Sequence, residues 1–284
     1  MPQSMEFPRR SVLAAAAALI AVPQLALGAA SSRISLTGAL KQGGLVLGRC
    51  EPGATVTFEG KPIRVSADGG FGFGFPYNQK TASSLVAHFA DGSEEQRQIT
   101  PQLRDYDIQR LTGLPEAYVS PPPDILERIQ RESARFRQAR ARDTDASWFA
   151  DGFDWPAMGI ISSVYGSQRI LNGEARAPHL AVDIAAPSGT PIHAPADGIV
   201  SLIDDQYLNG LFTILDHGHG VSTNYVHQSR QLVKLGDRVS RGQMIGEIGQ
   251  TGRATGPNLH WGMTWFQIGL DPSLSTPTPK PEKA

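Results

Sequence analysis

The stretch Ala177-Pro178-His179-Leu180-Ala181-Val182-Asp183 sets His179 four residues before Asp183. Residues four apart share a face in either a helix or a strand. The flanks favour a strand: Pro178 precedes the segment, Val182 and Ile184 are β-branched, and Pro187 closes it. Further on, Gly256-Pro257-Asn258-Leu259-His260 places Asn258 and His260 two apart, on one face of a second strand. Two imidazoles and a carboxylate are donors that a hydrolytic zinc ion takes, with a fourth position left for water. Spacing alone leaves a surface pair, a hydrogen-bonded core pair and a metal site all open.

The surrounding text narrows the choice. The run from His179 to Ile192 is followed by Ala194-Pro195-Ala196-Asp197-Gly198-Ile199-Val200, Asp216-His217-Gly218-His219-Gly220, Asn224-Tyr225-Val226-His227 and Gly252 to Trp261. In that order these motifs resemble the lysostaphin/LytM-type zinc endopeptidases, over about Pro156 to Leu270. The resemblance implies an antiparallel β-sheet metallopeptidase domain with Zn2+ in a groove. It implies His179, Asp183 and His260 as metal ligands and His227 as one of two catalytic histidines outside the metal shell. The chain departs from the pattern at Asn258, where the family has the other catalytic histidine, and at Ala181, where it usually has glycine. An amide can donate a hydrogen bond to an oxyanion, but it cannot take up and return a proton as imidazole does.

The implied activity is zinc-dependent hydrolysis of peptide crosslinks in cell-wall peptidoglycan, slowed by Asn258. The substrate is then the peptidoglycan peptide stem. The alternative is a catalytically inactive LytM-type regulator that binds peptidoglycan or activates an amidase or divisome partner. Degenerate relatives of that kind typically lose the ligands as well, whereas this chain keeps all three.

The 284 residues carry a formal net charge of −1. No charge excess points to nucleic acid. Arg9-Arg10, the apolar run Val12–Val22 and small residues near Ala26–Ala29 read as an export signal over 1–30, of twin-arginine appearance. That reading places the mature chain in the periplasm, with no stable membrane span after signal removal. Cys50, the single cysteine, allows no intrachain disulfide and suits a small buried position.

The fold class expected is mainly β: a small N-terminal β-sandwich, a linker helix and the C-terminal sheet domain. Residues 31–104 show short alternating runs at Ile34–Ala39, Leu45–Arg49, Thr55–Phe58, Ile63–Val65, Phe71–Phe75 and Leu85–Phe89, separated by Gly and Pro turns. They resemble a bacterial immunoglobulin-like module. Phe71, Phe73 and Phe75 share one face and are read as core.

Residues 105–147 read as an irregular linker with a helix over 124–142, whose apolar stripe of Ile125, Ile129 and Phe136 is partial. The peptidase-like domain spans 148–272, and 273–284 reads as a disordered tail. Val233–Met244 looks like a biotinyl-carrier turn, but no lysine follows Lys234 before Lys280, so it is read as a compact β turn. Tyr165, Asn172 and Arg253 are candidates for groove or turn positions. His217 is expected in loop structure or in support of the metal ligands, and His193 or His219 could substitute for the missing imidazole.

Overall fold

A computed structural model describes residues 32–111, 122–171 and 173–277. The export signal expected over 1–30, Asn172 and the end of the expected tail lie outside the described residues. Among the described residues no helix is long and apolar enough to cross a membrane.

The N-terminal module is built from β1 (Ser35–Gly38), β2 (Leu45–Arg49), β3 (Thr55–Phe58), β4 (Lys61–Ile63), β5 (Gly70–Gly74), β6 (Ser83–His88) and β7 (Glu94–Ile99). They form two sheets, ordered β1-β2-β5 and β4-β3-β6-β7. Phe71 and Phe73, on β5, and Phe75 just beyond it are fully buried. Phe73 stacks 4.4 Å from Phe58 of the opposite sheet. At Gly48 an added Cβ would lie 2.1 Å from the Phe71 ring, so glycine is needed for β2 to cross that aromatic layer.

The linker is more structured than its sequence suggests. Strand β8 (Ile108–Leu111) lies in the stretch expected to be irregular and pairs in parallel with β10 (Gln168–Leu171), beyond β9 (Ile160–Ser163). Parallel pairing joins segments far apart in sequence, so no local alternation reveals it. Helix α1 (Pro123–Arg140) begins on Pro123 at its first position. Proline suits that position because its missing N–H has no helical partner to lose. Asp124 in the first turn and Arg137 and Arg140 in the last complement the helix dipole.

Phe136 sits edge-on to Phe212, 5.2 Å away. The buried Glu132 accepts from Arg128 Nε at 2.6 Å and from the Tyr207 N–H at 3.0 Å. Arg135 binds both oxygens of Asp204. The helix is thus fixed along the peptidase-like region, with its Phe136 side against the sheet.

The C-terminal region continues with β11 (Glu174–Ala175), β12 (Val182–Ala185), β13 (Pro191–His193), β14 (Gly198–Gln206), β15 (Gly210–Gly218) and β16 (Val221–Gln231). It ends with β17 (Arg238–Val239), β18 (Met244–Ile248), β19 (Asn258–Trp265) and β20 (Ile268–Leu270). The main path runs β17-β14-β15-β16-β19-β12-β9, antiparallel throughout. One face packs on Ile184, Val200, Leu215, Tyr225, Ile248 and Trp261.

Another cluster runs from Phe58, Phe73 and Phe75 of the module through Phe149 and Phe153 to Trp265 and Leu270. Arg104 reinforces that junction at 2.8 Å from the buried Asp271. Part of the expected disordered tail is held in place: Phe153 N donates to Ser275 O at 3.1 Å and Trp155 Nε1 to Pro277 O at 3.3 Å.

Candidate metal centre

Strand register brings the first two donors together. Asp183 on β12 lies directly opposite His260 on β19, and Ser163 on β9 lies opposite Asp183. Opposed residues of an antiparallel pair put their side chains on the same face. The strand expected to hold both His179 and Asp183 begins only at Val182. His179 precedes it, pinned by its N–H to Ser167 O at 2.8 Å and by its carbonyl to Gly166 N at 2.7 Å.

Three atoms converge. His179 Nε2 is 3.0 Å from His260 Nδ1 and 3.1 Å from Asp183 Oδ1, and His260 Nδ1 is 2.9 Å from that same oxygen. Ligands of a tetrahedral ion with bonds of about 2.0–2.1 Å stand roughly 3.3 Å apart, close to this triangle. Each of the three atoms can offer a lone pair, and a cation among them would engage all three. The donor set therefore fits a zinc ion. Among the described residues this is the group of His, Cys, Asp or Glu side chains able to hold a metal.

The electrostatics agree. Burial alone would raise the Asp183 carboxyl, but the His179 and His260 imidazoles set against Oδ1 hold it well below the usual carboxylate range. Burial lowers the His260 imidazole, with Asp183 opposing. A deprotonated carboxylate and neutral imidazoles are the forms that bind metal. Arg169, not singled out from the sequence, donates from Nη2 to Asp183 Oδ2 at 3.0 Å and turns Oδ1 toward the histidines.

His227 stands at a change of partner. Strand β16 pairs with β19 up to Val226–His260 and with β18 from Gln228–Ile248. His227 occupies the gap at φ 67°. A left-handed conformation costs a non-glycine residue of order 1–3 kcal/mol and re-aims its side chain. The ring lies 6.2 Å from His260. Its Nδ1 is 2.7 Å from Thr251 O, an acceptor only, so Nδ1 carries the proton and Nε2 a free lone pair. Burial lowers this imidazole to about 4.

Asn258 borders the same cavity of about 210 Å³ as His227, Asp183 and His260. Its Nδ2 donates to Gly256 O at 2.8 Å, while Oδ1 is buried with no hydrogen-bond partner. A second space, a groove of about 770 Å³, has His179 and His260 in its lining and Leu126, Ile129, Phe136 and Arg140 of α1 as a wall. Arg253 borders both spaces.

Three other sequence candidates are placed elsewhere. Tyr165 is buried, donating to Gly269 O at 2.8 Å, and is a packing residue. His219 is buried against Phe149. His193 lines none of the cavities at the cluster.

His217, expected in loop structure or around the metal ligands, instead lies buried within strand β15. Its Nδ1 donates to Asp197 O at 2.7 Å, and its Nε2 lies 2.8 Å from Thr223 Oγ1. Burial lowers it from 6.5 to about 4. Its folded value is depressed, so its contribution is complete above the unfolded value near 6.5 and is lost as pH falls toward 4. That difference corresponds to about 3 kcal/mol. Urea unfolding at pH 7.5 and pH 4.5 should show this loss, and His217→Gln should flatten the slope.

A protein-family model described as Peptidase family M23 matches residues 177–272. Peptidoglycan DD-endopeptidase ShyA of Vibrio cholerae is 43% identical over 102 residues, 36% of this chain and 24% of that protein. The DD-carboxypeptidase/endopeptidase Mpg of Neisseria meningitidis is 38% identical over 103 residues, again 36% and 24%. This chain thus spans about a quarter of the length of these curated relatives. A crystal structure from Pseudomonas aeruginosa assigned to peptidase M23 superposes with TM-score 0.63 at 30% identity, over 82% of this chain and 93% of that one. With the His/Asp/His cluster formed and a relative of this extent, the chain belongs to peptidase family M23.

Proposed function

We propose that the chain is a zinc-dependent endopeptidase acting on peptide crosslinks of cell-wall peptidoglycan in the periplasm. One observation carries the reading: His179 Nε2, Asp183 Oδ1 and His260 Nδ1 meet at 2.9–3.1 Å beside a groove. The names of the relatives, peptidoglycan endopeptidases, support the substrate class. Zinc bound there would acidify water to a pKa of about 7 and polarise the scissile carbonyl.

The chain's own residues supply the rest. Arg169 orients Asp183 through its contact with Oδ2. His227, neutral and protonated at Nδ1, would take the water's proton at Nε2 and return it to the leaving amine. Helix α1 and the strand wall would confine an extended peptide over the cluster. Asn258 has one amide hydrogen on Gly256 O and a second left for an oxyanion.

That amide also favours a second reading, in which the chain is a non-catalytic regulator that binds peptidoglycan or activates an amidase. Purified mature protein, zinc and crosslinked muropeptides separate the two. The enzyme reading expects slow cleavage by the wild type. Asn258→His should accelerate it by about 10²–10⁴-fold, the usual worth of one general acid or base. Zinc binding without cleavage by the wild type, and with no gain in Asn258→His, would favour the regulator.

A further inference from the structure

We infer that Gln109, on the strand entering from the linker, is a positioning residue that orients two of the three proposed metal ligands. This rests on the zinc-site reading and deepens it. Gln109 Oε1 lies 3.2 Å from Arg169 Nε and 3.3 Å from Ser163 Oγ. A guanidinium only donates, so the amide atom facing it is the oxygen, and the orientation of the amide follows.

The Ser163 hydroxyl donates to that oxygen and keeps its lone pairs for His179 Nδ1, 2.9 Å away. His179 Nδ1 then carries the ring proton. Nε2, the atom beside Asp183 Oδ1 and His260 Nδ1, retains its lone pair for the metal. On the other branch, Gln109 holds Arg169 at Nε while Nη2 binds Asp183 Oδ2. One side-chain oxygen thus sets the tautomer of one ligand and the rotation of another.

Topology makes this more than a chance contact. Gln109 and Arg169 are register partners in the parallel β8–β10 pair, and Ser163 opposes Asp183 across β9 and β12. Gln109 also lines the cavity shared by Asp183, His227 and His260. The segment leaving the N-terminal module therefore ends on the metal site. Outer partners of metal ligands typically account for 10–100-fold in affinity or activity.

Zinc affinity of the full mature chain, measured by chelator competition, tests this without relying on catalysis. Gln109→Met keeps the length and removes the acceptor, whereas Gln109→Glu keeps an acceptor. Wild type should bind one zinc ion. Gln109→Met should bind about 10–100-fold more weakly with unchanged thermal unfolding of the metal-free protein, and Gln109→Glu should restore most of the affinity. Ser163→Ala cuts the same relay next to His179 and should weaken binding similarly, which keeps the test available if Gln109→Met does not fold. Wild-type affinity in Gln109→Met, or in Ser163→Ala in that event, with none in His179→Ala, would overturn the relay and leave the metal site standing. No zinc binding by the wild type would overturn both.

Discussion

His179→Ala should abolish zinc binding and reduce muropeptide cleavage by at least about 10³-fold, since the metal's acidification of water is lost with it. The alanine removes one corner of the triangle and leaves Asp183 Oδ1 facing His260 alone. His227→Ala is the informative contrast. His227 contributes no atom to the triangle, and its Nδ1 is committed to Thr251 O. Its loss should leave zinc stoichiometry at the wild-type value and lower kcat by about 10²–10⁴-fold. Metal content and kcat measured on the same preparations separate a ligand from a proton carrier. Equal loss of metal in both variants would contradict the assignment of roles.

Phe73→Ala should destabilise the whole described fold by about 3–5 kcal/mol, the usual cost of truncating a buried phenylalanine. Phe73 has no exposed surface, and its ring packs against Phe58, Phe71 and Phe75. The same cluster continues through Phe58 to Trp265, 5.8 Å away, and on to Phe149 and Leu270. All four tryptophans lie at residue 148 or beyond, so fluorescence reports on the peptidase-like region. A lowered urea midpoint by tryptophan fluorescence in Phe73→Ala would show that module and peptidase region unfold as one. An unchanged fluorescence midpoint would show that they unfold independently.

The sequence reveals features that rest on local rules. Strands Leu45–Arg49 and Thr55–Phe58 coincide with the segments read from alternation and turn residues. Strand Glu94–Ile99 escapes that reading because its first five residues are polar and only Ile99 is buried. It is an edge strand whose partner, not its composition, defines it.

The same division holds at the site. His179, Asp183 and His260 stand out because metal-binding residue types recur in a recognisable order. Arg169, Ser163 and Gln109 carry no comparable pattern. Their roles arise from sheet register between segments about 50–60 residues apart, and their residue types are common on any surface. The wall of the groove is similar: α1 is legible as a helix, but its docking depends on Phe212, Asp204 and the Tyr207 N–H.

The proposed function requires one cation where His179, Asp183 and His260 meet. Anomalous diffraction at the zinc absorption edge, from crystals of the mature protein grown with zinc, locates it. A single strong peak within bonding distance of His179 Nε2, Asp183 Oδ1 and His260 Nδ1 is the predicted result. A peak only elsewhere on the protein, with the three side chains turned away from one another, would contradict it.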